Sequence, residues 1–138
     1  MLRNLTTNSV QNESRAFNAG AIEAVVTAMS VHADCALVQE TASVAMRNLT
    51  SGNAKYTARA GVSGAVEALV EAMRRHKESP DVQSSAMCAL YFLTEDNAEN
   101  KARALHAGVK RLAKAALKEH PRNKRVVHEA RDLLTQIG

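Results

Sequence analysis

Residues 46–50 read Met46-Arg47-Asn48-Leu49-Thr50, and the same pattern stands 44 residues away on either side. It is Leu2-Arg3-Asn4-Leu5-Thr6 upstream and Leu90-Tyr91-Phe92-Leu93-Thr94 downstream, with a fainter echo at Leu134-Thr135-Gln136-Ile137. Other columns keep the offset without a gap: Gly20, Gly64 and Gly108; His32, His76 and His120; Arg15, Arg59 and Arg103; Val38, Val82 and Val126; Ala42, Ala86 and Ala130. Independent columns held in one register identify a tandem repeat. The sequence therefore predicts one repeat domain over 1–138, with units at about 7–50, 51–94 and 95–138. Residues 1–6 read as the tail of a preceding unit.

Composition gives the units their class. Of the 138 residues 46% are hydrophobic, enough for a core, while only 3% are aromatic and there is no tryptophan. A sandwich or barrel draws on aromatic and β-branched residues. Abundant Ala, Leu, Glu, Lys and Arg with two prolines favour helices instead. Each unit is expected to hold three. In the first they are Val10 to Ala19, Ala21 to about Val31, and about Ala36 to Thr50. A glycine breaks the first from the second, because it enters the left-handed turn without a Cβ clash. Ile22, Val25, Val26 and Met29 fall on one helical face. Val38, Ala42, Ala45, Met46 and Leu49 are the expected buried positions of the third helix. The second unit gives about Ala54–Ala60, Ala65–His76 and Asp81–Thr94, with Ser79-Pro80-Asp81 as turn and helix start. The third gives about Ala98–Ala107, Val109–Glu119 and Asn123–Ile137. One unit cannot bury its apolar faces alone, so stacked units share a continuous core. Small residues at Ala45, Ala86, Ala89 and Ala130 would let third helices pack closely.

This pattern resembles the armadillo repeat. The ending Ala45-Met46-Arg47-Asn48-Leu49 matches the end of that family's third helix. Ala19-Gly20-Ala21-Ile22 and Gly64-Ala65-Val66-Glu67 match its passage from first to second helix. The resemblance spans the whole chain and implies an all-α fold, a right-handed α-solenoid of three-helix repeats. The period is slightly longer than the usual armadillo unit. Two-helix HEAT units do not account for the glycine-divided first pair of helices.

The resemblance further implies that the third helices line a concave groove for an extended peptide or a partner protein. The family's asparagine, which bonds the peptide backbone through its amide, falls at Asn4 and Asn48, with Phe92 and Gln136 in the same column. The column where many peptide-binding members place tryptophan holds Val44, Cys88 and Asp132, so tryptophan-lined slots are missing. The candidate groove comprises Asn4, Glu40, Val44, Arg47, Asn48, Ser84, Cys88, Tyr91, Phe92, His128, Asp132 and Gln136. Against a binding role, Asn48 could bridge helices, Cys88 could be a small packing residue, and Tyr91 and Phe92, being adjacent, cannot both point inward. The His32, His76 and His120 column ends each second helix, where it is expected to meet terminal carbonyls and the helix dipole.

Charge is uneven. Residues 1–100 carry a net −3 and residues 101–138 a net +7. The basic set is Lys101, Arg103, Lys110, Arg111, Lys114, Lys118, Arg122, Lys124, Arg125 and Arg131. A basic surface can meet nucleic acid or an acidic partner, but no interleaved aromatic platform is present for bases. Lys110, Lys114 and Lys118 read as a solvated stripe.

No phosphate loop, dinucleotide fingerprint, His-Glu-x-x-His or Cys-x-x-Cys occurs, so neither catalysis nor a metal or cofactor is expected. No apolar run nears the ~20 residues that span a membrane. The polar start, Met1 to Asn12, does not read as a signal peptide. Two cysteines give no disulfide framework, which fits a reducing, intracellular and cytoplasmic setting. The leading expectation is a non-catalytic scaffold binding protein or peptide. The alternatives are a purely structural segment of a longer array, or a basic surface for nucleic acid or acidic partners. Leu2 and Leu5 at one end, and Leu133, Leu134 and Ile137 at the other, are expected to leave apolar surface for end-to-end self-association.

Overall fold

The computed structural model describes residues 20–138, and all regular structure among them is helical. Helix α1 covers 20–31. It is followed by α2 (Ala36–Thr50), α3 (Ala54–Val62), α4 (Ala65–Arg75), α5 (Pro80–Thr94), α6 (Ala98–Ala107), α7 (Val109–Glu119) and α8 (Lys124–Ile137). The helices expected from Ala36 to Thr50, Ala98 to Ala107 and Val109 to Glu119 have the bounds read from the sequence. The helix expected at Val10–Ala19, the candidate Asn4, and Leu2 and Leu5 lie outside the described residues.

Local chemistry sets the starts. Asn53, Asn97 and Asn123 each accept a bond from the backbone N–H three residues on, at 3.0, 2.8 and 3.1 Å. Ser79 does the same for Val82 at 3.2 Å, with Pro80 opening the helix. A side-chain oxygen there satisfies one of the N–H groups the first turn leaves free. Cys35, at the equivalent position before α2, makes no such bond. Gly64 and Gly108 enter α4 and α7 at φ 93° and 94°, a left-handed conformation that glycine adopts without strain. Gly20 is helical and does not share this left-handed conformation, and the helix it is expected to end lies outside the described residues.

The third helices form one layer, α2 against α5 and α5 against α8. Each second helix packs on the third of its own unit, α4 on α5 and α7 on α8, and the first helices α3 and α6 also pack against α5. This is an α-solenoid, with α5 at its centre. One hydrophobic cluster runs through it, from Ile22 and Met29 through Leu69, Met73, Leu90 and Leu93 to Leu133 and Ile137. Ala86, Ala89 and Ala130 are fully buried, as close packing of the third helices requires. Ala42 and Met46 are buried, whereas Val38, Ala45 and Leu49 are only partly so. Leu133 and Ile137 correct the expectation of exposed apolar surface at that end. They are 0% and 3% exposed, because they join the core, and only Leu134 is half-buried.

Three polar devices tie the stack. Gln83 donates its amide to Met73 O at 2.9 Å and His76 O at 2.8 Å, closing the carbonyl end of α4 from the neighbouring helix. Gln39 repeats this one unit earlier on Met29 O and His32 O, at 3.1 and 2.9 Å. Buried Asn100 on α6 donates to Thr57 O and Leu93 O at 3.0 and 2.9 Å and accepts from Arg103 Nη1 at 2.8 Å. It reaches them because Gly61 lies under it: a Cβ there would stand 1.8 Å from Asn100 Oδ1. Finally, the histidine column links units rather than capping its own helix. His76 Nε2 donates to Ala33 O at 2.7 Å and His120 Nε2 to Lys77 O at 2.8 Å. A carbonyl only accepts, so Nε2 is the donor in both contacts.

Candidate functional site

The layer of α2, α5 and α8 brings most of the candidate residues onto one face. Asn48 is exposed on α2, with Arg47 half-buried beside it and Val44 40% exposed one turn back. Arg47 crosses to the next helix. Its Nη1 lies 3.9 Å from Cys88 Sγ on α5, while its Nη2 donates to Asn48 Oδ1 at 3.1 Å. Among the described residues Asn48 makes no hydrogen bond to another helix.

Cys88 is half-buried. Burial pushes its thiol up, and the charge of Glu129 on α8 adds to this, while Arg47 opposes it. The three residues trace a diagonal across the three helices. Tyr91 and Phe92 are both half-buried, and their rings pack edge to face at 5.4 Å. Neither therefore turns fully inward. Tyr91 rests on the core, while Phe92 borders a hollow of about 230 Å³ with the inter-unit loops at Gly52–Asn53 and Asp96–Asn97. The negative charge of Glu95 raises the Tyr91 hydroxyl's pKa, helped by partial desolvation and by Asp132.

Not every candidate reaches the surface. Ser84 is 1% exposed and its hydroxyl donates to Asp81 O at 3.3 Å, so it lies beneath the face rather than on it. Glu40 and Gln136 are partly buried at its edges. His128 and Asp132 meet at 3.1 Å on α8. With Arg122, Lys124 and Arg131 they border an open hollow of about 390 Å³ at the C-terminal end of the face.

The face is thus a hydrogen-bonding and partly aromatic surface, with Arg122, Lys124 and Arg131 around the hollow at its α8 end. Among the described residues, none of Lys110, Arg111, Lys114, Lys118, Arg122, Lys124, Arg125 and Arg131 pairs with a carboxylate. Arg59 and Arg75, by contrast, pair with Glu23 and Asp34 of the preceding unit at 2.6 and 2.7 Å. No group of three or more His, Cys, Asp or Glu is placed to hold a metal among the described residues. No helix among them is long and apolar enough to cross a membrane.

A protein-family model described as LRRK2 ARM repeat matches residues 3–137. No curated protein and no solved structure matches the chain.

Proposed function

This chain belongs to the LRRK2 ARM repeat family, and on that premise we propose that it is a non-catalytic scaffold binding an extended segment of a partner protein across α2, α5 and α8. The observation that carries the reading is the Asn48 side chain. It is exposed, its one hydrogen bond among the described residues is with its neighbour Arg47, and Arg47 in turn reaches Cys88 on α5. An amide there offers donors and an acceptor to any peptide backbone, whatever its sequence. Arg47, Val44 and Tyr91 would then supply selectivity.

The test is a peptide-display selection against the chain, followed by affinity and melting measurements on Asn48→Ala. Binding of selected peptides should weaken by about 1–2 kcal/mol, the scale of a lost polar contact, with the melting temperature unchanged. A clear loss of stability with unchanged binding would make Asn48 structural and remove the groove reading at this position.

One observation favours a second reading. The unpaired basic residues of α7 and α8 suit an acidic partner, whose binding would weaken steeply with salt.

A further inference from the structure

The seam between α1 and α4 holds an open cavity of about 360 Å³, floored by Val26, Met29, Ala68 and Ala72. One unit on, the seam between α4 and α7 is built from the same columns. Met73, Gln83, Leu112 and Ala116 stand where Met29, Gln39, Ala68 and Ala72 stand and border a space of about 50 Å³, while Arg74, Gly108, Arg111 and Leu112, in the columns of Ser30, Gly64, Glu67 and Ala68, border a separate open hollow of about 740 Å³. The apolar difference is Leu112 in place of Ala68. Leu112 is 8% exposed and stands between the two spaces of its seam.

The cavity's polar groups are of one kind. Gln39 lines it and is only 2% exposed. Both its amide protons are committed to Met29 O and His32 O. Its Oε1 has no donor among the described residues. The small space beside Gln83 suits a water in the same role. At the rim, Glu71 is engaged by Arg74 and Arg75. Burial pushes the Glu71 carboxyl up, but the bonds and charges of Arg75 and Arg74 outweigh it and hold the group below its ordinary value. Arg75 is spent on Glu71 and Asp34. Glu67 is exposed and has no cation partner among the described residues. The cavity therefore offers an apolar floor, a free acceptor and a surplus negative charge.

We propose that this cavity binds a small amphipathic cation, a branched aliphatic group carrying an ammonium. The aliphatic part replaces water on the floor. The ammonium, with three donors and no acceptor, suits the Gln39 oxygen and the Glu67 carboxylate. A neutral hydrocarbon would leave Oε1 without a donor, and an anion would meet Glu67. A volume of this order is typical of small-molecule sites.

The probe is isopentylamine, titrated into the chain carrying methyl-labelled Met and Ala and followed by NMR. The variant that closes the site is Ala68→Leu, which copies the side chain that Leu112 supplies one unit on. A melting temperature no lower than the parent's shows that it has folded. Saturable shifts of the Met29 and Ala68 methyls are expected in the parent. Affinity should fall at least ~10-fold in Ala68→Leu, about 1.4 kcal/mol. It should also fall several-fold for neutral isopentanol, and for the amine in Glu67→Gln, an exposed change that leaves folding aside. Absence of saturable shifts in the parent overturns the proposal. So does equal binding in a folded Ala68→Leu, and so does equal affinity for alcohol and amine.

Discussion

Replacing Gln83 by Met tests whether one side chain closes the end of a neighbouring helix. Methionine keeps the length and volume but removes both donors. Gln83 is 2% exposed, so the change falls inside the stack. His76 O also accepts from Ser79 N at 3.1 Å. It loses one of two bonds, a net ~0.5–1.5 kcal/mol. Met73 O depends on the Gln83 amide at 2.9 Å. Left without a donor in the interior, it costs ~1–3 kcal/mol. The more apolar methionine returns ~1 kcal/mol through burial. The balance is a destabilisation of about 1–3 kcal/mol, or roughly 3–10 °C in melting temperature for a chain of this size. The assay is thermal melting by circular dichroism, with urea unfolding to check that the m-value is unchanged. Gln39→Met should cost less, because the cavity beside it admits water to the freed carbonyls. A Gln83→Met protein that melts within about 1 °C of the parent would refute the reasoning, since two bonds to the end of α4 cannot be lost from the interior at no cost.

Three further outcomes are expected. Leu69 is fully buried in the middle unit, so Leu69→Ala should cost ~2–5 kcal/mol and unfold the helices in one transition rather than unit by unit. Cys35 sits at φ −94° and ψ 106°, matching the capping Ser79 at −92° and 105°, so Cys35→Ser should add the missing cap and gain ~0.5–1 kcal/mol by the same melting assay. With iodoacetamide, peptide mass mapping should find exposed Cys35 modified before Cys88, whose thiolate is disfavoured by burial and by Glu129. Arg47→Met should slow Cys88 further, because the guanidinium that favours the thiolate is gone.

The repeat was legible because apolar columns and glycines recur at a fixed offset, and burial acts on every unit alike. One helix start was legible for a related reason: Ser79-Pro80 acts within one turn, whereas the caps at Asn53, Asn97 and Asn123 were not read from the sequence, which places Asn123 inside its helix. What escaped the sequence depends on pairs that meet only after stacking. Gln39 and Gln83 share a column, yet a recurring glutamine reads as surface until the neighbouring helix end is seen beneath it. His76 and His120 do stand at helix ends, as their column implied, but their rings reach back to the preceding unit, which needs the curvature of the stack. Ser84 belongs to the groove by column and is nonetheless buried, its hydroxyl turned back to Asp81 O. The link from Arg47 to Cys88 runs 41 residues along the chain rather than the 44 of the repeat, so column arithmetic misses it.

A periodic sequence suggests interchangeable parts, but the contact between Gly61 and Asn100 makes the second and third units a matched pair. The missing Cβ is in one unit and the buried amide that fills its place is in the next. In the third unit the position of Gly61 is Leu105. A gene duplication that copied the third unit after itself would press that leucine against the new copy's asparagine. The order of the units is therefore inherited along with their pattern, and growth of such an array by simple copying is blocked at this junction unless both positions change together.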